Sequence, residues 1–395
     1  LLALAVGGFG IGTGEFVALG LLPNIAASVH VSIPRAGYVI SAYALGVVVG
    51  APLLTGLAVR FARKRFLIAM ALAMAVGNFL SALAPSFGTL LIARFLTGLP
   101  HGAYFGVASV VAGSLVVTER RSSAMAVVFA GLTIANIVGV PLSTLIGQHA
   151  GWRLVFLLVG LIQLAAALAV LTQVPSGQGN ANAEHASIRR ELSAFRQPQI
   201  WLALGIATIG GSALFCTFSY ITPMMTHVAH YSPSAITPLL VLFGIGMTLG
   251  NVVGARFADR ALMRTVCLAI AGEIGVAVGF YFGAHDKIIS AALILLFPAF
   301  ALAVLPGLQS RIIKLAGGAP NLAAASIQAA FNIANTIGAW LGGLAIAGGL
   351  GYNSPNLVAA GLALAGLVIA GLSARQAALT RRPGILGVRA APLHE

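Results

Sequence analysis

Time after time along this chain, about twenty residues pass with almost no charge, and a run of that length suits one environment. An α-helix rises ~1.5 Å per residue and the hydrocarbon core of a bilayer is ~30 Å thick, so about 20 apolar residues make one crossing. Read this way, the sequence gives twelve spans, near 1–22, 36–58, 66–84, 88–114, 122–146, 152–173, 198–222, 236–255, 265–283, 288–308, 321–347 and 355–374. Of its 395 residues, 59% are hydrophobic and 8% charged, with a mean hydropathy of +1.00. A soluble surface needs roughly 25–35% charged residues. The expected class is therefore an all-α integral membrane protein.

The cations give the topology, because Lys and Arg beside a span resist translocation. With the loop after span 2 in the cytoplasm, 18 of the 22 Lys and Arg residues fall on that side; only Arg35, Arg153 and Lys287 fall outside, and Arg94 lies within span 4. Both termini are then cytoplasmic. The net charge of +14 is thus an orientation signal, and no nucleic-acid partner is expected. The first span has no basic flank or small-residue cleavage site, and reads as the start of a trimmed chain rather than as a signal peptide. Cys216 and Cys267 lie in apolar runs without ligand spacing.

A polar stretch, PSGQGNANAEHAS, lies in the one long interior connection and reads as a flexible linker. It divides the chain into bundles of six spans over 1–173 and 198–380, with a linker at 174–197 and a tail at 381–395. RFA at Arg60–Ala62 recurs at Arg256–Ala258, and IAN at Ile134–Asn136 recurs at Ile333–Asn335, at nearly one offset. Six spans return the chain to its starting side, so the halves share an orientation and should be related by an axis along the membrane normal, an arrangement used by transporters.

Several stretches carry a family resemblance: GEFVALGLLP in span 1, PLLTGLAVRFARKR across spans 2 and 3, LIARFLTGLPHGAYFG in span 4, GVPLSTLIGQHAGWRLVF through spans 5 and 6, and FNIANTIGAWLGG in span 11. Through them the chain resembles the major facilitator superfamily along its whole length, and within it the bacterial drug/proton antiporters grouped with arabinose-efflux and chloramphenicol-efflux permeases. The resemblance implies two six-helix bundles around a cavity lined by spans 1, 4, 5, 7, 8, 10 and 11. It implies a role in proton coupling for the span-4 arginine, Arg94, and a cytoplasmic gate built on Arg60 and Arg63, with Arg256, Asp259 and Arg260 in the second half. Val59 stands where the superfamily usually has Asp, Ala62 replaces a Gly, and the antiporter signature of span 5 is only partial, with Gly139, Pro141 and Gly147 but no Gly-Pro pair.

The residues themselves single out Glu15. An ionised carboxylate at the bilayer centre costs roughly 2.5–3.5 kcal/mol on insertion scales. Holding it neutral at pH 7, from a reference pKa near 4.3, costs ~3.7 kcal/mol. The two nearly balance, so one neighbour or the arrival of water decides the protonation state, as a proton-coupled carrier requires. Arg94 is expected at the same depth as Glu15, within reach of an ion pair. Helical spacing places Arg94, Thr97, His101 and Tyr104 along one face of span 4, Thr133, Asn136 and Ser143 along span 5, Thr208, Ser212, Phe215, Ser219 and Thr222 with nearby Tyr220 on span 7, and Gln328, Asn332 and Asn335 on span 11. Stripes of Ser and Thr alone read as helix-to-helix hydrogen bonding. Those holding His, Asn or Gln beside aromatics are costly to bury and read as cavity lining, with His101, Tyr104, Asn136, Phe215, Tyr220, Gln328, Asn332 and Asn335 as substrate contacts. Glu273, the other intramembrane acid, ranks below Glu15.

The expectation is a monomeric proton-coupled carrier exporting a small molecule across the bacterial inner membrane, its partners being protons, lipids and the solute, with no cofactor and no metal. The alternative is a symporter importing a sugar or nucleoside. An enzyme is not expected: there is no acidic pair with ligand spacing, GxSxG, HExxH or soluble catalytic domain.

Overall fold

The structure, a computed structural model, describes residues 1–58, 60–117, 120–175, 194–316 and 320–381. The expected linker lies largely outside the described residues, as do Val59 and nearly all of the expected tail. Among the described residues, the regular elements are all helical and eleven helices are long and apolar enough to cross a membrane. One of them, Ile236–Gly283, has 48 residues. At ~1.5 Å per residue that is more than twice the hydrocarbon thickness, and its backbone leaves helical geometry at Ala261 (φ −152°, ψ 72°). It is therefore two crossings joined by a sharp bend, which brings the count to the expected twelve.

We number the crossings α1 (Leu2–Gly20), α2 (Tyr38–Ala58), α3 (Arg63–Leu83), α4 (Phe87–Ser114), α5 (Arg121–Ile134, Ala135–Gly139 and Val140–Ala150), α6 (Trp152–Gln173), α7 (Pro198–Gly205, Ile206–Gly210 and Ser212–Phe218), α8 and α9 (the limbs of Ile236–Gly283 before and after Ala261), α10 (Lys287–Ala303, continued by Leu305–Ala316), α11 (Pro320–Ala347) and α12 (Pro355–Arg381). The face holding Leu1 and the loops between α2 and α3 and between α8 and α9 carries most of the described cations; we call it the basic face.

Small residues set how closely the helices approach, since between helices in lipid, packing replaces the hydrophobic drive. A Cβ on Gly46 would lie 2.2 Å from the Phe95 carbonyl oxygen, and one on Gly50 would lie 2.0 Å from that of Leu99, so α2 and α4 meet backbone to backbone. Two hundred residues on, Gly246 meets Leu295, Gly250 meets Ala299 and Gly254 meets Ala303 in the same way, joining α8 to α10. The internal repeat seen as short matching tripeptides is thus a repeat of contacts. Two helices also contain a wider turn with i→i+5 spacing, Ala135–Gly139 in α5 and Ile206–Gly210 in α7. Such turns are frequent at functional sites.

The halves meet toward the face opposite the basic one. Among the described residues, three side chains bridge the halves by hydrogen bonds. Ser41 of α2 donates to the Thr336 carbonyl of α11 at 3.4 Å. Thr222, just beyond α7, donates to the Leu19 carbonyl of α1 at 3.0 Å. Asn335 of α11 donates to Glu15 of α1 at 3.4 Å. Tyr220 wedges against Gly37 before α2 and Gly343 of α11, its hydroxyl bonded to the Ala339 carbonyl at 2.8 Å. The opposite face is therefore closed.

Candidate functional site

Glu15 sits where the halves touch. It follows Gly12 and Gly14 on α1, whose lack of side chains lets α1 lie close to α5 and α6: a Cβ on Gly12 would meet Leu132 and Ala135, and one on Gly14 would meet Val159. The carboxylate is 4% exposed. Its Oε1 accepts the bond from Asn335, and its Oε2 lies 3.9 Å from Nδ1 of His101. One oxygen thus faces each half.

Around it α2 and α4 supply three more buried groups. The Tyr43 hydroxyl of α2 is hydrogen-bonded to the same His101 Nδ1 at 3.2 Å. The guanidinium of Arg94, on α4, is fully buried with its carbon 4.3 Å from the Tyr43 ring centre and 5.2 Å from that of Phe156. The ion pair expected between Glu15 and Arg94 is not made: Arg94 stacks on these two rings, and the basic side chain within 4.0 Å of Glu15 is the imidazole of His101. Arg94 remains near enough for its charge to act on Glu15. None of its three nitrogens has a hydrogen-bond partner among the described residues. The faces of Tyr43 and Phe156 offer the buried guanidinium cation–π contacts.

The other predicted residues divide by position. Asn335 joins the Glu15 cluster directly. Asn332, fully buried one turn away, donates to the Gln328 carbonyl at 2.9 Å, and its own side-chain oxygen has no partner; Gln328 is half-buried. Phe215 meets Phe331 of α11 edge-on at 4.8 Å and stacks over Phe16, the residue after Glu15, at 6.5 Å. Phe218 and Phe243 stack at 3.8 Å and complete an aromatic group drawn from α1, α7, α8 and α11. Asn136 lies in the wide turn of α5, whose backbone α8 approaches so closely that a Cβ on Gly244 would sit 2.7 Å from the Asn136 carbonyl oxygen.

Tyr104 and Tyr220 are placed differently. The Tyr104 hydroxyl donates to the Leu4 carbonyl at 3.3 Å and lies against Gly7, tying α4 to α1. Tyr220 belongs to the closed opposite face. The polar stripe of α4 is split, because Thr97 turns to Gly77 of α3 while Arg94 and His101 stay with α2 and α1. At the basic face Arg60, Arg256, Asp259 and Arg260 are exposed and Arg63 is half-buried. In this conformation Asp259 makes no ion pair with Arg256 or Arg260 within 4.0 Å, nor with any other of the described residues.

Sequence reading missed Tyr43 and four of the five phenylalanines. Tyr43 was legible as one of two phenols, with Tyr38, in an otherwise apolar span. The phenylalanines were not, since Phe is ordinary in lipid-facing helices and only tertiary contact separates these from the rest.

The family model described as the Major Facilitator Superfamily matches residues 4–324. The inner membrane transport protein YdhP of Escherichia coli O157:H7 is 41% identical over 376 residues, covering 95% of this chain and 96% of that one. The putative transporter AraJ of Escherichia coli K12 is 34% identical, covering 93% of each chain. The chloramphenicol resistance protein of Streptomyces lividans is also 34% identical, over 90% of each. Among solved structures, a bacterial homologue of the human lysosomal transporter Spinster, inward-facing and unoccupied, superposes with a TM-score of 0.67 at 17% identity, covering 95% of this chain and 94% of that one.

Proposed function

This chain belongs to the major facilitator superfamily, and from that premise we propose that it is a monomeric proton-coupled exporter of small, uncharged molecules across the bacterial inner membrane. Its basic face would lie in the cytoplasm, in keeping with the positive-inside rule. The closed opposite face would then be the outward one. Relatives named for inner-membrane transport and for chloramphenicol resistance support export and location. The single observation that carries the coupling is the Glu15 carboxylate, buried on the seam with one oxygen toward each half.

In the cycle, Glu15 takes a proton when the opposite face is open, the neutral side chain permits reorientation, and the proton leaves to the cytoplasm as solute binds. One charge moved through 100 mV supplies ~2.3 kcal/mol, a roughly 50-fold gradient of a neutral solute per proton. The amides of α11 and the ring of Phe331 suit neutral or weakly polar solutes. A thermal-shift panel of chloramphenicol, sugars and nucleosides on the purified chain identifies the class. With a solute in hand, Glu15→Gln retains binding and loses pH-driven export in sided vesicles; unimpaired export by that variant refutes the proton site.

A further inference from the structure

Three side chains bridge the halves by hydrogen bonds among the described residues, and two of them, Ser41 and Thr222, donate to backbone carbonyls. Those bonds are the same at any pH. The third, from Asn335 to Glu15, has an acceptor whose charge changes. A hydrogen bond to an ionised acceptor is roughly twice as strong as one between neutral groups, so this contact tightens when Glu15 has lost its proton and loosens when it gains one. Its geometry suits exchange: at 3.4 Å it is long for an N–H···O bond, and the Asn335 side-chain oxygen, also buried, has no partner among the described residues.

We propose that Asn335 is a positioning residue for proton coupling: its amide latches ionised Glu15 across the seam, and so keeps the opposite face closed while the carrier holds neither proton nor solute, bound solute being what releases the latch in the export step. This rests on the reading of Glu15 as the proton site. An exchanger needs such a device, because a carrier that reorients when empty lets the proton gradient and the solute gradient run down separately. The other titratable or charged groups facing Glu15 are Tyr43 of α2 and His101 and Arg94 of α4. All three belong to the half that contains Glu15, so none of them bridges the seam. Asn335 alone among these neighbours can convert the state of Glu15 into a force between the halves.

The test is a distance measurement across the opposite face. Ala27 and Ser234 are exposed there, one in each half. Spin labels on Ala27→Cys and Ser234→Cys, with Cys216→Ser and Cys267→Ser, report opening of the full chain in nanodiscs without solute. The parent should give a short distance at pH 8.5 and gain a longer population at pH 5.5. Asn335→Leu should raise the longer population at pH 8.5 at least threefold and flatten the pH response; Asn335→Ala, which only removes atoms, should do the same. Ser41→Ala, which removes a bridging bond whose acceptor is a backbone carbonyl, should keep a pH response. A parent-like pH profile in both Asn335 variants, or a parent that never opens, overturns the latch. Glu15→Gln should give one mixture at both pH values, and a pH response surviving in that variant overturns Glu15 as the proton site. The two readings therefore fail by different results.

Discussion

The N-terminal half packs α2 on α4 through Gly46 and Gly50, and the C-terminal half packs α8 on α10 through Gly246 and Gly250, with the same approach of backbone to backbone. At the centre the halves differ. The first buries an acid, an imidazole, a phenol and a guanidinium, as Glu15, His101, Tyr43 and Arg94; the second offers Asn332, Asn335 and a group of phenylalanines. Its own buried acid, Glu273, lies on α9 with one oxygen unpartnered among the described residues. Close packing has to be satisfied at every crossing, so duplication preserves it, whereas a buried charge costs free energy wherever it is not used. Architecture is therefore symmetric here and chemistry is not.

The hardest way to break the comparison is through its symmetric part. Gly50→Leu and Gly250→Leu each drive a side chain into a facing backbone, and overpacking costs about 1–3 kcal/mol or more. Both should abolish recovery of monodisperse protein after detergent extraction, while Gly56→Ala, with open space around it, should behave as the parent. A fold tolerant of one glycine change and not the other would show that the halves pack differently.

The asymmetric part should respond in function. Arg94→Met removes a buried guanidinium that has no hydrogen bonds among the described residues; replacing buried ionic groups by apolar ones is often neutral or stabilising by about 1–4 kcal/mol. Thermal stability should hold or rise while pH-driven transport falls at least tenfold. A drop in stability would mean that stacking on Tyr43 and Phe156 outweighs the desolvation cost. Tyr43→Phe keeps the ring under Arg94 and deletes the hydroxyl bound to His101, for a loss of about 0.5–1.5 kcal/mol with a measurable change in the pH profile of transport. The smallest structural effect is expected from Asn332→Leu, which removes an amide with an unpartnered oxygen: unfolding should shift by less than about 1 kcal/mol, and solute binding should weaken. A large stability loss would assign Asn332 to packing.

Much of the fold was legible beforehand because membrane insertion is read out locally. Run lengths gave the crossings, and a break between 236–255 and 265–283 was expected, since Arg256, Asp259, Arg260 and Arg264 interrupt what would otherwise be one long apolar segment; that the break is a sharp bend at Ala261 was not. The site was legible in part. Glu15 and Asn335 stood out as polar groups that cost free energy in lipid, and both are at the seam. Helical spacing alone could not tell that Tyr104 bonds to the Leu4 carbonyl or that Arg94 leans on rings instead of on the acid. Those outcomes depend on which helix lies alongside, not on the helix that carries the residue.

By itself the sequence determined that the chain crosses a membrane twelve times, because the hydrophobic free energy of twenty apolar residues outweighs any alternative for each segment separately. It also determined that an acid would be buried in the first crossing. Only the tertiary structure decided what that acid would touch. The choice of His101 and Asn335 over Arg94 reflects distances of a few ångströms between helices far apart in the chain, set by glycines at their contacts.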